Sequence, residues 1–209
     1  MSRAGRMACG GFAAIGSVLL MTMVAATARA ATTETIVFLR HGEKPAAGLG
    51  QLSCKGLNRA LALPRVIAEQ FGRPQALFAP DPSVRKDDGG TSYDYIRPLA
   101  TIEPTAIALG LPVDTRFGFA DIEQLQARLE DDATNNSTVL VAWEHKQIVK
   151  LARQLISAHG GDPKQVPRWA GDDFDSFYVV TIRRDRATSS ASFERKTEGL
   201  DGRSEVCPS

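Results

Sequence analysis

The chain has 209 residues, with 25 Lys and Arg against 24 Asp and Glu, so its formal net charge is +1. That balance excludes a broad nucleic-acid or polyanion surface, which needs a strong basic excess, while leaving room for one local group of arginines. With 43% hydrophobic and 23% charged residues, the chain reads as globular, long enough for one domain with a sizeable core.

The first 30 residues contain Arg3, Arg6 and Arg29 and no acidic residue. The apolar run from Phe12 to Ala26, followed by Ala28-Arg29-Ala30, reads as a secretory signal peptide with its cleavage site. Residues 31–209 are then the expected mature protein, a single domain that is periplasmic or secreted. The alternative is an uncleaved anchor, since the uncharged stretch can just span a bilayer, and only then is the membrane a stable partner. Without the leader, 22 basic residues face 24 acidic ones, a net charge of −2. Cys9 leaves with the leader. In an oxidising compartment Cys54 and Cys207 either pair, tying the C-terminal tail to the start of an early helix, or remain two thiols.

In chain order, Thr35 to Leu39 is a short β-branched apolar run that predicts a buried strand. Ser53 is a helix cap, and the helical pattern runs to about Phe71, with Pro64 expected to kink or divide it. Ala76 to Ala79 is a second strand. A polar loop rich in breakers follows, from Pro80 to Ser92. Arg97-Pro98 opens a helix that stops at Gly110. Val113 to Thr115 is a short strand, and Asp121 can cap a helix through Leu129. Thr138 to Trp143 is the clearest strand, and a helix follows from about Lys146 to Ala158. Phe177 to Ile182 is another strand, and Ala191 to Phe193 an edge strand. This alternation predicts an α/β fold, with helices packed on a mainly parallel central sheet.

In open α/β sheets ligands bind beyond the carboxyl ends of the strands. Two reactive segments fall there: Arg40-His41-Gly42-Glu43-Lys44 after the first strand, and Glu144-His145-Lys146 after the strand ending at Trp143. The third histidine, His159, sits at a helix C-terminus, where the dipole is reason enough for it.

Ile36 to Glu43 resembles the signature of the histidine phosphatase superfamily, the phosphoglycerate mutase-like proteins. Three further segments agree in order: Leu52 to Ala60 with the family's first helix, Arg97 to Val113 with the helix carrying a second phosphate-binding arginine, and Thr138 to His145 with the strand delivering a second histidine. The resemblance implies a three-layer αβα sandwich. It also implies that His41 is the nucleophile that becomes phosphohistidine, that Arg40 and Arg97 clamp the phosphate, and that His145 donates to the phosphoryl group. The chemistry suits these residue types. A neutral imidazole attacks phosphorus only if its other nitrogen holds the proton, best on a backbone carbonyl. Guanidinium forks pair with phosphate oxygens and stay charged at any working pH.

The proton donor stays open. One branch of the family places a carboxylate where Asp121 falls, although Asp121 can equally be a helix cap. Glu144 is the rival acid, and its presence departs from the family's usual small residue before the histidine; it and Lys44 form either a specificity pair or a plain ion pair. The loop from Pro80 to Tyr95 exceeds the family minimum and either reads the leaving group or is a solvated insertion. The expectation is a metal-independent phosphatase with no cofactor, acting on a small phosphorylated substrate: a phosphomonoester or a phosphohistidine. A non-catalytic protein that binds or senses a phosphorylated ligand is the alternative.

Overall fold

The computed structural model describes Met1, residues 30–185 and residues 187–208. The expected signal peptide, with Cys9, falls on residues 2–29 and so lies outside the described residues.

The apolar run from Thr35 to Leu39 becomes part of β1 (Thr32–Arg40), in the interior of a six-stranded sheet. It is followed by α1 (Cys54–Phe71), β2 (Ala76–Phe78), a separate hairpin of β3 (Arg85–Asp87) and β4 (Ser92–Asp94), then α2 (Arg97–Leu109) and β5 (Val113–Asp114). Next come α3 (Ile122–Leu129), β6 (Thr138–Trp143), α4 (His145–Ala158), β7 (Ser176–Arg184) and β8 (Ser189–Thr197). The sheet order is β5-β2-β6-β1-β7-β8. The first four run parallel, and β7 and β8 add an antiparallel ribbon at one side.

Alternation along the strands builds two cores, one on each face. Ile36, Phe38, Val139, Val141 and Trp143 pack with α3 and α4, while Val37, Leu39, Leu140 and Ala142 pack with α1 and α2. The result is the expected α/β sandwich with a mainly parallel central sheet.

Several boundaries differ from expectation, for physical reasons. β1 starts three residues early because Glu34, though charged, is buried and paired with Arg184 at 2.9 Å. β8 is nine residues long; only Ala191 and Phe193 touch the core, so its polar remainder carries little apolar signal. Pro64 does not divide α1, which runs unbroken for 18 residues from its Ser53 cap, whose hydroxyl accepts from Gly56 N. The 80–92 segment is not wholly loop, since it contains β3 and the first residue of β4. Cys54 and Cys207 are joined by a disulfide, and Asn58 Nδ2 holds the tail through the Ser204 and Val206 carbonyls.

Candidate active site

The parallel pairing of β1 and β6 sets Arg40 beside Trp143, so the residues that leave these strands emerge side by side. The His41 N–H donates to the Trp143 carbonyl at 3.2 Å, one step beyond the paired residues. The next amide, Gly42 N–H, donates to Thr101 Oγ1 at 2.9 Å on α2. Gly56, in the first turn of α1, approaches so closely that a Cβ there would meet the Glu43 carbonyl oxygen at 2.4 Å. The loop after the first strand is thus fixed on both sides.

His41 is buried, and its Nδ1 lies 2.8 Å from the Gly42 carbonyl. A carbonyl can only accept, so Nδ1 carries the proton and Nε2 keeps its lone pair. Burial pushes the imidazole down to about 3; the Gly42 contact opposes this, and the Arg97 and Arg40 charges add to it. Both guanidinium groups lie against aromatic rings that flank His41: Arg97 is 5.0 Å from the Tyr95 ring, and Arg40 lies on the Phe174 ring, whose centre is 6.3 Å from that of His41.

Arg40 is buried under the 170–174 segment. Its Nη1 donates to the Gly171 carbonyl at 2.8 Å and the Asp173 carbonyl at 3.0 Å, and the guanidinium lies 3.9 Å from the centre of the Phe174 ring. Its Nε–H has no partner. Arg97, at the first turn of α2, is 3% exposed, and its Nε–H is also without a partner. Buried donors left unpaired are costly, and both Nε–H groups are therefore available to an acceptor from outside the chain.

Glu144 caps α4, accepting from Lys146 N and Gln147 N at 3.0 Å each, and lies 3.0 Å from His145 Nδ1. Burial raises its pKa, but the bonds to His145 and Gln147 and the charges of His145 and Lys86 prevail and hold it at about 2. The carboxylate is therefore ionised at neutral pH, the wrong state for a proton donor. Asp121 occupies the N-cap position of α3 but makes no side-chain cap; its Oδ2 instead accepts from Gly118 N at 2.9 Å. Lys44 does not pair with Glu144. It pairs with Asp88, a carboxylate that also binds Arg97. His159 contacts Ser189 and Glu130 at the end of α4.

Sequence reasoning left the 80–95 segment undecided, and the structure brings three of its residues to the site. Asp88 is buried on Arg97, against Gly48, whose φ of 79° leaves no room for a side chain there. Lys86 Nζ lies 4.6 Å from the centre of the Phe119 ring. Tyr95 is 1% exposed and meets the His41 ring edge-on, with centroids 6.0 Å apart. The available signal was Tyr95's place two residues before the Arg97-Pro98 helix start, on a strand-like alternation with Tyr93. A buried network also went unseen. Arg59 donates to both Glu43 oxygens at 2.9 and 3.0 Å, to Glu198 at 2.7 Å, and to Asp175 and Asp201 at 3.0 Å each. It anchors Glu43, two residues beyond the imidazole.

No protein-family model and no curated protein matches the sequence. Solved structures do match. A protein assigned as the phosphohistidine phosphatase SixA from Nakamurella multipartitia superposes with a TM-score of 0.54 at 17% identity, over 78% of this chain and 95% of that one. A mycobacterial glucosyl-3-phosphoglycerate phosphatase bound to inorganic phosphate gives 0.52 at 16% identity, over 77% of this chain and 95% of that one. A protein named mycobacterial hydrolase 2 gives 0.52 at 15% identity, over 78% and 90%. This chain shares its fold with these solved structures.

Proposed function

We propose that the protein is a histidine phosphatase, hydrolysing a phosphomonoester or a phosphohistidine through a covalent intermediate on His41. The observation that carries this reading is the state of His41: neutral, with Nδ1 tied to the Gly42 carbonyl, among guanidinium groups whose Nε–H donors have no acceptor. In the first step His41 Nε2 attacks phosphorus, the bond to the ester oxygen breaks, and that oxygen takes up a proton from solvent, returned when water is split in the second step. Arg40, Arg97 and His145 share the negative charge on the equatorial oxygens. In the second step water attacks phosphorus, releasing inorganic phosphate and restoring the imidazole. Glu144 orients His145 and balances its charge.

Export and the absence of a metal requirement belong to the same proposal. The leader-like first 30 residues support export, and so does the Cys54–Cys207 disulfide, since such bonds persist in oxidising compartments. A retained nucleophile argues against a purely ligand-sensing role, because binding alone has no use for one.

The test is hydrolysis of para-nitrophenyl phosphate and a panel of phosphomonoesters across pH, with excess chelator, by wild type and His41→Ala. Turnover that resists chelation and is lost in the variant is expected. Wild type quenched in alkaline denaturant should hold a phosphoryl group that is stable in alkali and lost in acid. An inactive wild type across the panel would favour the ligand-binding role, and loss of turnover on chelation would refute the metal-free reaction.

A further inference from the structure

Tyr95 follows the hairpin and is 1% exposed, yet its hydroxyl proton has no acceptor: the Arg97 guanidinium beside it can only donate. A phenol can bury its ring for packing alone, but its O–H is then expected to find an acceptor. Phenylalanine would fill an apolar slot without that cost. The surroundings are not apolar on the hydroxyl side. The charges of Arg97, Glu144 and Arg40 all act on this group, and its ring touches both His41 and Arg97. The ring is fixed from several directions: edge-on to His41, 5.7 Å from Phe119 between centroids, and under the Arg97 guanidinium at 5.0 Å. A rigid ring with a free O–H beside two unpartnered guanidinium Nε–H groups is a third donor of one set.

We propose that Tyr95 is a further catalytic residue, its hydroxyl donating a hydrogen bond to the phosphoryl group clamped by Arg40 and Arg97. This rests on the phosphatase reading. The neutral phenol suits that task, because burial raises its pKa and keeps the proton in place at any working pH. It gives the phosphoryl oxygens a donor that adds no charge. It makes no bond to phosphorus and gives up no proton, so the two chemical steps balance as already written. A donor held rigidly toward developing negative charge, with no reorganisation needed, acts by the same principle as an oxyanion hole.

Tyr95→Phe removes the O–H and keeps the ring. Expected is a fall in kcat/KM of roughly 10²-fold, equal for aryl and alkyl phosphates, with a thermal midpoint no lower than that of wild type, since an unpaired buried hydroxyl is removed. Inhibition by orthovanadate, and the rise in melting temperature that orthovanadate produces, should weaken in parallel. The thermal readout needs no turnover, so it separates failure of this proposal from failure of the phosphatase reading. Unaltered kinetics and unaltered vanadate binding would reduce Tyr95 to packing and overturn the proposal. A loss that grows with leaving-group basicity would place the hydroxyl on the leaving oxygen, and also overturns it. Should Tyr95→Phe not fold, 3-fluorotyrosine incorporated into the wild-type chain gives the second measurement. The resonance of position 95, assigned with Tyr93→Phe and Tyr178→Phe, must move when orthovanadate binds; a fixed resonance refutes the contact.

Discussion

Asp88 and Arg97 form a buried ion pair, and Lys44 joins it from the opposite side of the carboxylate. Arg97 is one of the two proposed phosphate clamps, so the protein supplies its own anion to a group meant for the substrate. Lys44 and Arg97 hold the Asp88 carboxyl below its ordinary range, against the opposing effect of burial. A phosphoryl group entering the site meets this negative charge and competes with it for Arg97. Asp88→Asn is expected to tighten competitive inhibition by inorganic phosphate by roughly tenfold, since the repulsion is lost in a site of low effective dielectric. Weaker inhibition in the variant would show that Asp88 supports the clamp instead of opposing the ligand.

The position of His41 makes a prediction about pH. An imidazole held near 3 stays neutral across the whole range in which ordinary histidines titrate. Its ring resonances, identified by their absence in His41→Ala, should not move between pH 8 and about pH 4. A titration near 6.5 would mean that the site admits water freely and that Nε2 is protonated in mild acid.

The Arg59 network carries a stability consequence of definite sign. Glu198 is pushed up to about 8 by burial, with Arg59 acting against that rise. The unfolded chain releases this proton near its ordinary value of 4.5, while the folded chain keeps it to about 8. The unfolded state therefore binds fewer protons in that window, and Glu198 makes stability fall as pH rises from about 4.5 to about 8. Glu198→Gln keeps an oxygen for Arg59 and cannot ionise. Its thermal midpoint should vary less between pH 5 and pH 8 than that of wild type. Equal slopes in the two proteins would assign the pH dependence to other groups.

Reduction of the Cys54–Cys207 bond opens a loop with a sequence separation of 153 residues. The double replacement Cys54→Ser with Cys207→Ser should lower stability by about 2–4 kcal/mol in denaturant melts, within the usual range for native disulfides. It should also increase proteolytic cleavage after residue 200, because only the Asn58 bonds then hold the Ser204 and Val206 carbonyls. Unchanged cleavage would show that those bonds suffice.

What could be read from the sequence follows the range of the forces involved. His41 and His145 were legible because each ends an apolar strand, and a strand's period and its last residue are local facts. Arg97 was legible from a proline-opened helix. Asp88 and Tyr95 were not, because their burial depends on how a polar hairpin folds back onto the sheet, and no local pattern encodes that. Arg59 is a charged residue on a face that is otherwise core; it becomes intelligible only with Glu43, Asp175, Glu198 and Asp201, drawn from distant parts of the chain. The two acid candidates were chosen by position alone. Their hydrogen bonds, to Gly118 for Asp121 and to two α4 amides for Glu144, needed three-dimensional geometry.

The strand hairpin pairs only with itself, three residues on each side, whereas the amide of His41 is bonded to an interior strand of the main sheet. A two-stranded ribbon is marginal alone and depends on what it rests against. The machinery therefore divides into an invariant half and an interchangeable half. His41, Arg40 and His145 belong to the chassis, where a shift of register would turn every side chain to the other face. Lys86 and Asp88 belong to a detachable part. Exchanging that ribbon for one of different sequence would leave the His41 imidazole where the sheet put it.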